Sequence, residues 1–132
     1  MASWNNWSGR QRSKPTALYF IRSEADAAAI VRQAGRAKQS IRIAGAGHSH
    51  APLVVNNGVI VDASGLAGVV STDLAMQRAW VWSGTRIYAL GRALHDHGLA
   101  LKNQGDIDRQ AIAGAVATGT HGTGQALQNL SA

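Results

Sequence analysis

Apolar residues along this chain form short clusters whose spacing alternates between about two and three to four residues, the periods of strands and helices. After a polar opening, "TALYFI" predicts a short strand, Ala17 to Ile21. Ser23 and Asp26 follow at capping-box spacing, with Asp26 at the third helical position. Ala27, Ile30, Val31 and Ala34 then fall on one face, predicting a helix from Glu24 to about Ala37 that buries this stripe. Gly35 weakens its last turn, and Lys38 sits where the chain leaves it.

"SIRIAG" alternates, with Ile41 and Ile43 on one side and Arg42 on the other, as in a half-exposed strand. Beyond a loop of small residues, Asn56-Asn57-Gly58 predicts a turn into the strand "VIVDAS". "RAWVWSG" reads as a further strand, with Trp80 and Trp82 on one side and Ala79 and Val81 on the other. Thr85 is placed to cap a helix from Arg86 to His97 that buries Ile87, Leu90 and Leu94, and Gly98 is placed to end it. Asp108 is placed to cap a brief helix through "RQAIAGAVAT", after which "GTHGTG" opens into loop. The pattern is α+β: the two longer helices should flank a small mixed sheet made by the strands near residues 18, 42, 60 and 80. Residues 1–16, closed by Lys14-Pro15, read as an N-terminal arm, and residues 17–132 as one globular segment.

Composition narrows what such a fold can do. The chain has 132 residues, 45% of them hydrophobic, enough for a core. It has no cysteine, which removes disulfides, thiolate nucleophiles and cysteine-ligated metals. Lys and Arg number 13 against 7 Asp and Glu, a net charge of +6. These cations are scattered rather than striped, which argues against a nucleic-acid partner and suits an anionic ligand equally well. No apolar run approaches the roughly 18 residues of a membrane span. The opening also lacks the apolar middle of a signal peptide, so a cytoplasmic protein is expected, with peripheral membrane association left open.

The candidate chemistry lies in two clusters of small residues. "IRIAGAGHSHAP" leaves a strand through Gly45-Ala46-Gly47 and then presents His48, Ser49 and His50. It lacks the third glycine and the following helix of a dinucleotide fingerprint, yet glycine-rich turns can gather amides around a phosphate without a helix. His48 and His50, with an acid such as Asp106, could instead be read as metal ligands. The other close pair, His95 and His97, sits at helical spacing that turns the two rings apart, and no metal is assigned. "AIAGAVATGTHGTG", residues 111–124, crowds Gly114, Gly119, Gly122 and Gly124 among threonines and alanines. Such residues allow either a tight packing contact or close approach of a bulky ligand.

These motifs together resemble one family. "NNWSG", "RIAGAGHSHAPL" and "KNQGDIDRQAIAGAVATGTHGTG" occur in the order found in the N-terminal part of the flavin domain of vanillyl-alcohol-oxidase-type (PCMH-type) FAD oxidoreductases. Within that group the chain is most similar to the aldonolactone oxidases and the related alditol oxidases. The resemblance implies that Gly45, Ala46, Gly47, His48, Ser49 and His50 surround the FAD diphosphate, with Pro52 closing the turn. His48 matches the histidine that many members join covalently to the flavin 8α-methyl, and His50 is left to contact or packing. Gly105, Asp106, Ile107, Ala113, Gly114, Thr118 and Gly122 fall in the segment implied to lie along the adenosine and pyrophosphate portions.

The activity implied is oxidation of the CH–OH group of a sugar lactone or polyol, with oxygen or an electron carrier reoxidising FAD. Family members continue for several hundred residues, and their substrate-binding groups are expected there, so no catalytic residue is assigned. The flavin domain is then incomplete, and its open sheet edges could support self-association. A flavin- or nucleotide-binding module without turnover, and a cofactor-free interaction protein, are the alternative readings.

Overall fold

The computed structural model describes residues 2–131; Met1 and Ala132, the outer ends of the arm and of the globular segment, lie outside the described residues. The chain divides into two compact units, one ending at Leu66 and the next beginning at Ala67.

In the first unit, β1 (Trp4–Asn5) and β2 (Arg12–Ser13) pair as an antiparallel hairpin within the opening sixteen residues. β3 (Ala17–Phe20), β4 (Ile41–Ala44) and β5 (Val59–Asp62) make a three-stranded parallel sheet in the order β3-β5-β4. The central position suits "VIV": Val59, Ile60 and Val61 are all buried, as a strand flanked on both edges requires. β3 alternates between half-buried and exposed residues, whereas β4 departs from the expected alternation: Ile41 is half-buried, Arg42 and Ile43 are exposed and Ala44 is buried.

α1 (Glu24–Arg36) connects β3 to β4. Its start is the expected capping box: the Asp26 amide donates to Ser23 Oγ at 3.1 Å, and the Asp26 carboxylate accepts from the amides of Ser23 at 3.0 Å and Arg22 at 2.9 Å. The buried stripe is narrower than expected. Ile30 and Ala34 are buried, whereas Val31, a helical step of 100° from Ile30, faces solvent. Lys38, with φ of +52°, ends the helix in the left-handed conformation: the Gln39 amide reaches back to the Ala34 carbonyl at 2.9 Å, and the Lys38 amide to Gly35 at 3.1 Å.

The amide of Arg22, followed by the Ser23 hydroxyl, holds the Asp26 carboxyl below the usual carboxylate range. A lowered folded value means stabilisation that is complete above the unfolded value and lost as pH falls through the folded one. Acid titration should therefore weaken the first turn of α1 below the ordinary aspartate range. Asp26→Asn should remove that part of the acid dependence; an unchanged acid limb in the variant, followed by amide shifts of Arg22 and Ser23, would refute the assignment.

In the second unit, β6 (Val69–Asp73) and β7 (Arg78–Val81) form an antiparallel hairpin with an irregularity between Val69 and Ser71. The α+β class holds, with both parallel and antiparallel pairing and helices beside the sheets. The grouping differs from expectation: the strand near residue 80 pairs with β6 and does not join β3, β4 and β5. Helix α2 (Ile87–His95) buries Ile87, Leu90 and Leu94 as expected. Gly98, with φ of +71°, ends it, and the Leu99 amide returns to the Leu94 carbonyl at 2.9 Å. α3 (Ile112–Ala117) is the brief helix.

Neither Thr85 nor Asp108 caps a helix with its side chain. The two helix starts are satisfied by main chain instead. Ile87 and Tyr88 donate to the carbonyls of Gln110 and Asp108, both at 3.0 Å, while Ile112 and Ala113 donate to Thr85 at 2.8 Å and Ser83 at 3.3 Å. The buried Thr85 hydroxyl instead joins Trp82 and Gly68. No helix among the described residues is long and apolar enough to cross a membrane.

Candidate functional site

The loop that follows β4 is shaped by the N-terminal hairpin. Its carbonyls at Gly47, His48, Ser49 and His50 each accept a hydrogen bond from residues 6–11. The Trp7 amide donates to Gly47 at 3.1 Å and Trp7 Nε1 to His48 at 3.2 Å. Asn6 Nδ2 donates to Ser49 at 3.0 Å, and Gln11 Nε2 to His50 at 2.9 Å. In an extended strand successive carbonyls point to opposite sides, so one neighbour cannot take all of them. Gly47 breaks the alternation with φ of +67°, where a side chain would be strained; a Cβ there would also meet the main chain of Asn6 at 3.4 Å.

With those carbonyls taken, the amides of Gly45, Ala46, Gly47, Ser49 and His50 donate no hydrogen bond among the described residues. Ungathered amides along a glycine turn form a concavity of partial positive charge that suits an anion such as a phosphate. Ser49 Oγ steadies the exit by accepting from the Ala51 amide at 3.2 Å, and Pro52 sits at the centre of a tight turn closed by Leu53 N–H to the Ala51 carbonyl at 2.8 Å. Both imidazoles meet the Trp7 indole: His48 is stacked, with centroids 5.4 Å apart and planes at 22°, and His50 makes an edge contact at 5.8 Å and 69°.

The other expected site residues lie in the second unit. Gly105 is buried; Asp106, Ile107, Ala113, Gly114 and Thr118 are exposed; Gly122 is half-buried. The glycines divide by what surrounds them. A Cβ on Gly105 would lie 2.8 Å from Thr120 Cγ2, and one on Gly122 would lie 2.6 Å from the Gln104 carbonyl, so these two permit strand-like segments to cross closely. Gly114 has nothing within 4 Å, so its face of α3 is open to a neighbour. The Thr118 hydroxyl is turned back to the Gly114 carbonyl at 2.9 Å.

No three of His, Cys, Asp or Glu gather into a metal-binding group among the described residues. Asn6, Trp7 and Gln11 are the residues for which the sequence offered no role. The signals were an unusual density of Asn and Trp in "SWNNWSG", a segment otherwise too polar to form a core, and the place of its "NNWSG" in the family resemblance.

A family model described as FAD binding domain matches residues 15–131. L-gulono-1,4-lactone dehydrogenase of Mycobacterium tuberculosis is 42% identical over 129 residues, 98% of this chain and 30% of that protein. D-arabinono-1,4-lactone oxidase of Eremothecium gossypii is 34% identical over 124 residues, covering 91% of this chain and 23% of that protein. The crystal structure of cholesterol oxidase from B. sterolicum shares the fold, with a TM-score of 0.72 at 23% identity over 91% of this chain and 24% of that one. The chain thus spans less than a third of the length of these relatives.

Proposed function

The chain belongs to the FAD binding domain family, in company with the aldonolactone oxidases, and from that premise we propose that it is the cofactor-holding part of an FAD-linked oxidoreductase acting on the CH–OH group of a sugar lactone or polyol. The observation that carries this reading is the set of amides of Gly45, Ala46, Gly47, Ser49 and His50 that donate no hydrogen bond among the described residues, in a loop whose carbonyls from Gly47 to His50 are held by Asn6, Trp7 and Gln11.

FAD, when bound, accepts two electrons from the substrate carbon. The loop's part is to bind the diphosphate through main-chain N–H groups, which recognise negative charge without a charged side chain. Gly45, Ala46, Gly47 and Ser49 do this, and Pro52 fixes the exit. Gly105, Asp106, Ile107, Ala113, Gly114, Thr118 and Gly122 are assigned to the adenosine and pyrophosphate portions, with Gly114 offering the open face. His48 is assigned as the point of covalent attachment. There its imidazole would supply the nitrogen that bonds to the flavin, giving up its N–H proton.

The diphosphate reading predicts a pattern of competition. FAD binding to the apo-protein, followed by quenching of flavin fluorescence, should be displaced by ADP and scarcely by riboflavin, which lacks the diphosphate. Gly47→Val should weaken FAD binding at least about tenfold, since it adds backbone strain of roughly 1–3 kcal/mol at the loop. Riboflavin competing as well as ADP would overturn the assignment of the loop to phosphate.

A further inference from the structure

The segment around β2 sorts its side chains by face. Gln11 and Ser13 turn toward the neighbouring loops, with Gln11 Nε2 on the His50 carbonyl and Ser13 Oγ bonded to Asn56. Arg10, Arg12 and Lys14 alternate with them and are exposed, so these cations share the face turned away from the glycine loop. No acid occurs before Glu24, and neither Arg12 nor Lys14 has an acidic partner among the described residues. Like charges gathered without a counter-charge create a local positive field that an anion relieves.

That face borders a cavity of about 630 Å³, a volume suited to a small molecule. Its lining includes Ser3, Trp4, Asn5, Arg12, Lys14 and Asn57, and no acidic residue. Asn5 stands directly across the hairpin from Arg12. The Arg12 guanidinium is braced: Nε donates to the Gly9 carbonyl at 2.9 Å, while the two terminal nitrogens make no hydrogen bond among the described residues. A fork fixed in this way matches two oxygens of a carboxylate or phosphate. Asn57 is engaged through its main-chain carbonyl, which accepts from Thr16 Oγ1 at 2.9 Å, so its side-chain amide is left to donate and accept. Amides and the Ser3 hydroxyl do both, as alcohol groups require, and the half-buried Trp4 adds apolar surface for carbon-bound hydrogens.

We propose that this cavity binds a small hydroxylated anion, a sugar carboxylate or a sugar phosphate, through Arg12 and Lys14, at a site separate from the glycine loop. The test is calorimetric titration of the FAD-loaded full-length enzyme with D-gluconate and with glucose 6-phosphate, sorbitol and glucose being the uncharged controls. At least one anion should bind, and the controls should bind at least about tenfold more weakly, the factor expected for a charge-assisted bond. Gluconate alone would identify the carboxylate as the group recognised, and glucose 6-phosphate alone the phosphate. Arg12→Ala should weaken anion binding on the order of tenfold, and Arg12→Lys, which keeps the charge and loses the fork, should fall between. Lys14→Ala removes a side chain that makes no hydrogen bond, so it tests charge without disturbing the hairpin, and it should cost about threefold. Binding of neither anion would overturn the proposal, as would controls that bind equally well. Anion binding unchanged in both alanine variants would place the anion elsewhere and overturn it too. A loss in Arg12→Ala that Lys14→Ala does not share, with a lowered melting temperature, would assign the effect to the hairpin turn instead.

Discussion

Acid precipitation of the FAD-loaded full-length enzyme should leave flavin on the wild-type protein and none on His48→Ala. The two histidines of the loop are not equivalent. His48 follows Gly47, has its carbonyl held by Trp7 Nε1 and has its ring stacked on the indole, whereas His50 is exposed and held only through its carbonyl and an edge contact. The alanine variant keeps the bonds from residues 6–11 to the loop carbonyls, so the amides assigned to the diphosphate should survive and non-covalent FAD should still bind. The result is then loss of the link without loss of the cofactor, read by peptide mass mapping of the precipitate and by flavin in the supernatant. Flavin still attached through a peptide of His48→Ala would refute the assignment.

The parts of this fold that could be read from the chain are those written in nearest-neighbour code. Ser23 and Asp26 lie within one helical turn of each other, so their reciprocal bonds follow from spacing alone. The stripe Ile87, Leu90 and Leu94 is equally local, and so is the glycine after it. Thr85 and Asp108 carried the same local signal and did not cap, because carbonyls twenty to thirty residues away took the free amides instead. No short-range pattern records such an exchange. β6 escaped notice because the irregularity between Val69 and Ser71 breaks the alternation that announces a strand.

The candidate site divides along the same line. The loop of Gly45 to His50 stands out by its small residues, but what sets its carbonyls lies about forty residues earlier in a segment that looks like a solvated arm. Side-chain bonds to main-chain carbonyls have no period, so neither helix nor strand reasoning finds them. The small residues of 111–124 are legible as a cluster and ambiguous as to purpose. Packing within the unit already requires glycine at 105 and 122, whereas at Gly114 no neighbour does.

The largest stability effect should come from Asn6, whose side chain is the only buried amide joining the hairpin to the loop among the described residues. It is 1% exposed and both its polar atoms are engaged: Nδ2 donates to the Ser49 carbonyl at 3.0 Å, while Oδ1 accepts from the Gln11 amide at 3.0 Å and the Ser8 hydroxyl at 3.2 Å. Asn6→Ala strips partners from groups on the half-buried residues Ser8, Gln11 and Ser49, at about 1–3 kcal/mol for each left unsatisfied. The variant should therefore lose roughly 3 kcal/mol, on the order of 15 °C in melting temperature for a unit of this size. Asn6→Asp separates the donor from the acceptor. It keeps an oxygen for Gln11 and Ser8 but turns a second, charged oxygen toward the Ser49 carbonyl, so at neutral pH it should be less stable than Asn6→Ala. Burial raises the carboxyl's pKa, and the protonated form can donate to Ser49 again, so the deficit of Asn6→Asp should shrink on acidification while that of Asn6→Ala does not. Because the same bond holds the loop's carbonyls away from its amides, both variants should also bind FAD more weakly in proportion to the disorder introduced at Ser49. Thermal melts across pH with a parallel FAD titration decide the matter: an Asn6→Ala protein within about 0.5 kcal/mol of wild type would show that the hairpin does not hold the loop.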